Sequence, residues 1–98
     1  MKFSIPKKFK LGAITIAVNK VKKITDQTID CDGMAFYDKS LIELKDNEES
    51  SNDYKEYVFF HELVHHIFNV IEEDSLRIDE KIVSRFAIFL HQAIRTME

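Results

Sequence analysis

The chain has 98 residues, of which 14 are basic and 17 acidic, and its net charge at pH 7 is -3. This length accommodates one domain, residues 1–98, and the 45% hydrophobic content is enough for one modest core. The charge balance argues against direct nucleic-acid binding and against a membrane-surface protein. Without an apolar run of signal-peptide or membrane-spanning length, and with Cys31 as the lone cysteine, we expect a cytoplasmic protein without an internal disulfide.

The N-terminal half predicts a short, antiparallel-rich sheet of three or four strands. Apolar and polar residues alternate from Ile14 to Asn19, which is the period of a half-buried strand. Pro6 favours an extended conformation before it, so the first segment is either an entry strand or an extended lead-in. A strand with a less regular apolar pattern is predicted over residues 24–31, and turn residues after Ile29 end it. The predicted segments are residues 3–6, 9–21, 24–31, 34–37 and 40–44.

A polar loop, residues 45–53, leads into a predicted helix over about residues 54–71. Asp53 followed by Glu56 resembles a capping box, which favours a helix start at this point. The apolar stripe of this helix comprises Tyr57, Phe60, Val64, Ile67, Phe68 and Ile71.

The middle of this helix reads His61-Glu62-Leu63-Val64-His65. A helix advances about 100° per residue, so His61 and His65 lie on one side, one turn apart, and can share a metal ion. Glu62 then lies beside that ion without binding it. In zinc peptidases two neutral imidazoles of this pattern hold Zn²⁺ and the carboxylate accepts a proton from water. The alternative is an ordinary amphipathic helix with two histidines on its solvent-exposed side. His66 is predicted to be a surface or boundary residue.

A third ligand must come from a second helix, predicted over about residues 76–96 and capped by Asp74 or Ser75. If this helix returns antiparallel, either Asp79 or Glu80 reaches the level of His65. Glu72 is about 10 Å along the axis from His65 and is too far away. By the same counting His91 lies past the site and is interpreted as a boundary histidine.

Helical periodicity favours Glu80 over Asp79 as the ligand. Asp79 points in the direction of the apolar residues, whereas Glu80 lies on the flank, where two antiparallel helices can meet over a metal. Asp79 is instead interpreted as a helix-start residue or as a partner of a ligating imidazole. The residues predicted to be buried on this helix are Ile82, Val83, Phe86, Phe89, Leu90 and Ala93.

Over residues 54–90 the sequence resembles the ImmA/IrrE-type metallopeptidases, small gluzincins carried by phages and mobile elements. The resemblance comprises the His61 to His65 motif, Glu80, and the pair Phe86-Ala87. Val83 and Ser84 depart from the alanine and asparagine usual in the family. The resemblance implies an α+β, zincin-like domain with His61, His65 and Glu80 as zinc ligands and Glu62 as the catalytic residue.

The resemblance also implies a zinc-dependent endopeptidase that cleaves a protein, in several relatives a helix-turn-helix repressor. Candidates for stabilising the oxyanion are Tyr37, Tyr54, Tyr57 and His66. We expect an edge strand at residues 40–44 to align the peptide through backbone hydrogen bonds. Two alternatives stay open: a zinc-stabilised binding module without catalysis, and an α+β interaction domain without a metal.

Overall fold

A computed structural model describes residues 3–27 and 30–98 and shows an α+β fold. Four strands form one mixed sheet: β1 (Lys8–Leu11), β2 (Ile14–Val21), β3 (Gly33–Phe36) and β4 (Leu41–Lys45). Three helices follow: α1 (Asn52–Val70), α2 (Asp74–Arg77) and α3 (Glu80–Thr96). Among the described residues, none of the helices combines the length and apolarity needed to cross a bilayer.

The strand order is β1-β2-β4-β3, with β2 parallel to β4 and the other two pairs antiparallel. The sheet is therefore antiparallel-rich, as predicted. The expectation that residues 40–44 form an edge strand is wrong, because β4 pairs with β2 on one side and with β3 on the other. The edge strand next to α1 is β3, which contacts that helix.

The predicted strand over residues 9–21 is instead the hairpin of β1 and β2. Gly12 occupies the turn with a φ of +60°, a conformation that glycine adopts at little cost. Residues 3–6 contain no strand. In the predicted strand 24–31, positions 28 and 29 lie outside the described residues, and the other positions are not in a strand. At this point Thr25 donates from its backbone N and its Oγ1 to the buried Glu43 carboxylate, at 2.8 and 2.9 Å.

The core lies between one face of the sheet and α1. Phe60, Val64 and Phe68 of α1 are no more than 5% exposed. The sheet contributes Ile16, Val18, Ile42 and Leu44, and α3 contributes Val83 and Ala87. This packing holds one side of α1 against β3 and β4 and leaves another side for α3.

The helix boundaries differ from the predicted ones in two places. Ser51 caps α1 by accepting from the Tyr54 backbone N at 3.1 Å, so the helix begins two residues before the start predicted from Asp53. The predicted second helix is two helices, because the chain leaves helical geometry after Arg77 and Asp79 then caps α3. The break places Glu80 at the first position of α3.

The predicted burial of the second helix is only partly correct. Val83 is fully buried, and Ile82 and Leu90 are half-buried. Phe86 and Phe89 are 57% and 67% exposed, and Ala93 is also exposed. The reason is that α3 packs mainly against α1 and α2, which cover only one side of it.

Candidate metal centre

Helices α1 and α3 bring the three sequence-predicted ligands together. Glu80 reaches both histidines: its Oε2 lies 2.9 Å from Nε2 of His61, and its Oε1 lies 2.9 Å from Nε2 of His65. The candidate ligand atoms all lie within 4.8 Å of one another, and they are the one group of this kind that residues 3–27 and 30–98 contain. These three side chains can hold a metal ion.

The dimensions of the cluster suit a small divalent cation. Two ligand atoms at about 2.0 to 2.1 Å from a tetrahedral zinc ion lie about 3.3 Å apart, so each 2.9 Å contact needs to open by only about 0.4 Å. The Glu80 side chain is 68% exposed and has room for this shift. The His61 and His65 side chains are mostly buried, at 16% and 10% exposure, and have less freedom to move. Two rigid ligands and one adaptable ligand fit a metal site.

The electrostatics of His65 also favour metal binding. Burial lowers the pKa of His65, and the carboxylate of Glu80 opposes this effect. The lowered pKa keeps the imidazole neutral, which is the form that ligates metals. The Nδ1 atom of His65 is buried and makes no hydrogen bond of standard geometry to any described residue, although the nearby Arg77 backbone raises the pKa of the ring.

The structure separates Glu80 from the other acidic and histidine candidates. Asp79 is the N-cap of α3, where its Oδ1 accepts from the backbone N of Lys81 and of Ile82, both at 3.1 Å. Glu72 follows the end of α1 in a left-handed conformation and is not part of the cluster. His91 pairs with Glu56 at 3.0 Å, away from the cluster, at the boundary position expected of it.

Glu62 lies beside the three candidate ligands and is only 7% exposed. Burial, and then the negative charge of Glu80, raise the pKa of Glu62 to about 8, while a backbone hydrogen bond from Ala35 lowers it. A positive ion between the histidines would offset the effects of burial and of the Glu80 charge on the Glu62 carboxylate. A buried carboxylate with a raised pKa next to a cation site is a typical arrangement for a general base.

The close approach of β3 to Glu62 depends on Gly33. A Cβ atom at Gly33 would lie 2.7 Å from Cγ1 of Val58 and 3.3 Å from both Cγ and Oε2 of Glu62. We therefore expect Gly33→Ala to push β3 away from α1, destabilising the fold by about 1 to 3 kcal/mol. Chemical denaturation measures this loss. Gly12→Ala is the comparison, since no atom lies near its Cβ and only its positive φ opposes the change.

An open cavity of about 440 Å³ extends from the candidate ligands to β3. Besides the cluster and Glu62, it is lined by Gly33, Met34, Ala35, Tyr37, Arg77 and Ile78. Tyr37 is therefore the one of the four oxyanion candidates that lines this cavity. Tyr54 instead donates to Asp32 Oδ2 at 2.5 Å, and Tyr57 packs against the His61 ring.

Arg77 is a site residue that the sequence analysis missed. Its guanidinium carbon lies 4.9 Å from the centroid of the Tyr37 ring, and its buried Nε has no hydrogen-bond partner in the described part of the chain. Burial raises the pKa of Tyr37, and Arg77 opposes that rise. The position of Arg77 in the sequence could have indicated this role. Arg77 lies three residues before the predicted ligand Glu80, so its side chain is expected near the site.

The prediction that His66 is a surface or boundary residue is wrong. It is 2% exposed, its Nε2 lies 3.0 Å from the carbonyl oxygen of Leu41, and its ring meets Tyr37 edge-on. Burial lowers the pKa of His66, and the Leu41 carbonyl opposes this. His66 therefore joins α1 to the start of β4 and supports the tyrosine that lines the cavity.

Comparisons of this chain with protein-family models, with curated proteins and with solved structures found no match. The geometry and chemistry of the site therefore carry the functional argument.

Proposed function

We propose that this protein is a zinc-dependent endopeptidase with a zincin-like fold that cleaves peptide bonds in a protein substrate. One observation carries the proposal: His61, His65 and Glu80 converge within 4.8 Å, and Glu62 opens onto the same cavity. A metal site without a general base would need only the first three residues. The presence of the fourth, buried and beside an open cavity, favours hydrolysis.

Zinc is the metal that this donor set and its spacing favour. Two imidazoles and one carboxylate bind catalytic zinc in several peptidases, and the pattern His61-Glu62-x-x-His65 on a helix is typical of them. Non-haem iron enzymes also use two histidines and one carboxylate. Metal analysis of the purified protein distinguishes the two, with one equivalent of zinc as the expected result.

The residues around the cavity have separate roles in the proposed reaction. Zinc, when bound, supplies an acidified water and polarises the scissile carbonyl. Glu62 accepts the proton from the attacking water and later donates it to the leaving amine. Burial raises the pKa of Glu62, and a bound cation would lower it again, so the carboxylate that accepts the proton is the form that zinc favours.

The free edge of β3 provides a place to align the substrate backbone. Met34 and Ala35 of this strand line the cavity, and β3 pairs with β4 on one side only. An extended peptide adding to that edge would form backbone hydrogen bonds that are independent of its side chains. This assigns to β3 the role expected of residues 40–44.

In the proposed reaction, Tyr37 and Arg77 stabilise the oxyanion that forms during hydrolysis. A hydroxyl donor and a cation facing the cavity are the groups that such an intermediate requires. We expect Tyr37→Phe to lower kcat by about 10- to 100-fold with a small change in KM and unchanged zinc content. Steady-state kinetics measure this effect. Tyr54→Phe is the control and should retain activity, because its hydroxyl contacts Asp32 outside the cavity.

The proposal is tested by digestion with the purified full chain. The substrates are a peptide library derived from a proteome and any helix-turn-helix repressor encoded beside the gene, with mass spectrometry to identify new N-termini. We expect cleavage with zinc, loss of cleavage after chelation, and recovery when zinc is restored. A zinc-loaded protein that produces no new N-terminus in either substrate set would contradict the proposal.

A non-catalytic zinc-binding module is the second candidate, and the packing of Glu62 favours it. The Glu62 side chain lies under β3, close to Gly33, and its carboxylate accepts from the Ala35 backbone. A structural acid would make the same contacts. In such a module Glu62→Gln would retain zinc and would change no measured activity of the zinc-loaded protein.

A further inference from the structure

Helix α3 carries an apolar face that residues 3–27 and 30–98 leave partly uncovered. Ile82, Phe86, Phe89 and Ala93 follow one another at spacings of four, three and four residues, which places them in one line along the helix. Phe86 and Phe89 are more than half exposed. Three of the four residues, Ile82, Phe86 and Phe89, border an open groove of about 360 Å³ together with Arg85 and Leu90. We call this line of four residues the α3 seam.

We propose that the α3 seam is a homodimer interface, in which α3 packs antiparallel against α3 of a second copy. A two-fold axis between residues 87 and 88 would bring Phe86 opposite Phe89 of the second copy. The same axis would bring Ile82, a large side chain, opposite the small Ala93. The seam is thus complementary to itself, as a two-fold interface requires. No charged residue lies in the seam, and the helix dipoles of an antiparallel pair oppose each other favourably.

The exposed area fits a small, reversible dimer. A phenylalanine presents about 150 to 250 Å², so Phe86 and Phe89 each leave roughly 100 Å² or more for a partner. With the exposed parts of Ile82, Leu90 and the Arg85 stem, each copy would bury about 500 Å². This is below the roughly 800 Å² per partner of a standard interface. We therefore expect a dissociation constant in the micromolar range.

A second copy fits the seam better than a membrane does. The seam borders a concave groove, which a ridge of side chains fills, whereas a bilayer surface offers no such ridge. The chain also has a net charge of -3, which opposes binding to anionic lipids. The inference is independent of the proposed peptidase activity, since the seam contains none of the candidate ligands.

Sedimentation equilibrium over about 1 µM to 1 mM protein tests the dimer. We expect reversible dimerisation of the natural chain and at least about a 100-fold weaker association for Phe89→Glu, because a central aromatic contact would be replaced by a buried charge. Ile88→Glu is the matched control: Ile88 is 48% exposed on the same helix but faces away from the seam, so dimerisation should persist. A natural chain that stays monomeric throughout, or a Phe89→Glu variant that dimerises normally, would overturn the proposal.

Cross-linking tests the antiparallel register directly. In a Cys31→Ser background, Ile82→Cys and Ala93→Cys proteins should form a mixed disulfide when combined. Neither should cross-link efficiently with itself, because like positions would lie about 16 Å apart along the axis. Self-cross-linking in place of the mixed product would overturn this dimer. A monomer that floats with anionic phosphatidylserine vesicles would assign the seam to a membrane instead.

Discussion

Replacing Glu62 with glutamine should lower kcat/KM for peptide hydrolysis by about 10²- to 10⁴-fold while zinc content and folding are retained. The amide has nearly the shape of the carboxylate, so it fits the same space beneath β3 and still accepts from the Ala35 backbone. It cannot accept a proton from water. Because burial already destabilises the carboxylate in the folded state, the variant should be no less stable than the natural protein. Initial rates, zinc analysis and thermal unfolding measure the three quantities.

Glu56→Gln provides the matched control for this experiment. Glu56 lies on the same helix, its side chain is 14% exposed, and it pairs with His91 away from the cavity. Loss of the Glu56 charge should lower the free energy of unfolding modestly and leave the rate of peptide hydrolysis per folded molecule unchanged. If Glu62→Gln, loaded with one equivalent of zinc, hydrolyses peptides at the natural rate, Glu62 is not the general base.

The metal cluster was predictable because helical geometry determines the relative directions of nearby side chains. Four residues separate His61 from His65, and any α-helix through them places both on one side. Glu80 required one further step: a short connection forces the next helix to return along the first. The connection alone leaves both Asp79 and Glu80 as candidates, and helical periodicity favours Glu80. The role of Asp79 as the cap of α3 agrees with its helix-start interpretation.

The surroundings of the cluster depend on contacts between distant segments and were not predictable in the same way. His66 lies one residue beyond a candidate ligand, and its burial results from the start of β4 lying against that side of α1. Tyr37 and Arg77 come together although 40 positions separate them in the chain. No local periodicity encodes such contacts, because the sheet order decides them.

The misassigned elements have local physical causes. Gly12 permits a turn that an alternating pattern alone cannot distinguish from a bend in one strand. The apolar periodicity of α3 predicts a covered face, because such a pattern indicates residues that some surface buries. Periodicity does not say whether that surface belongs to the same molecule, and Phe89 remains 67% exposed.

Zinc should stabilise the protein strongly, because the candidate ligands join α1 to α3. Free zinc at 1000 times its dissociation constant would contribute about 4 kcal/mol to the free energy of unfolding. For a domain of this size, that corresponds to a rise in Tm of about 15 °C or more. Thermal unfolding with zinc and after chelation measures the difference. An unchanged Tm after complete removal of zinc would show that the ion does not bind the folded chain at this site.

Two substitutions at adjacent positions separate the ligand from the helix cap. Glu80→Gln should remove most of the zinc-dependent stabilisation, since an amide is a much weaker zinc ligand than a carboxylate. Asp79→Ser keeps an N-cap oxygen for the backbone of Lys81 and Ile82, so its response to zinc should match that of the natural chain. The opposite pattern, in which zinc stabilises Glu80→Gln but not Asp79→Ser, would make Asp79 the third ligand and require α3 to rotate relative to α1.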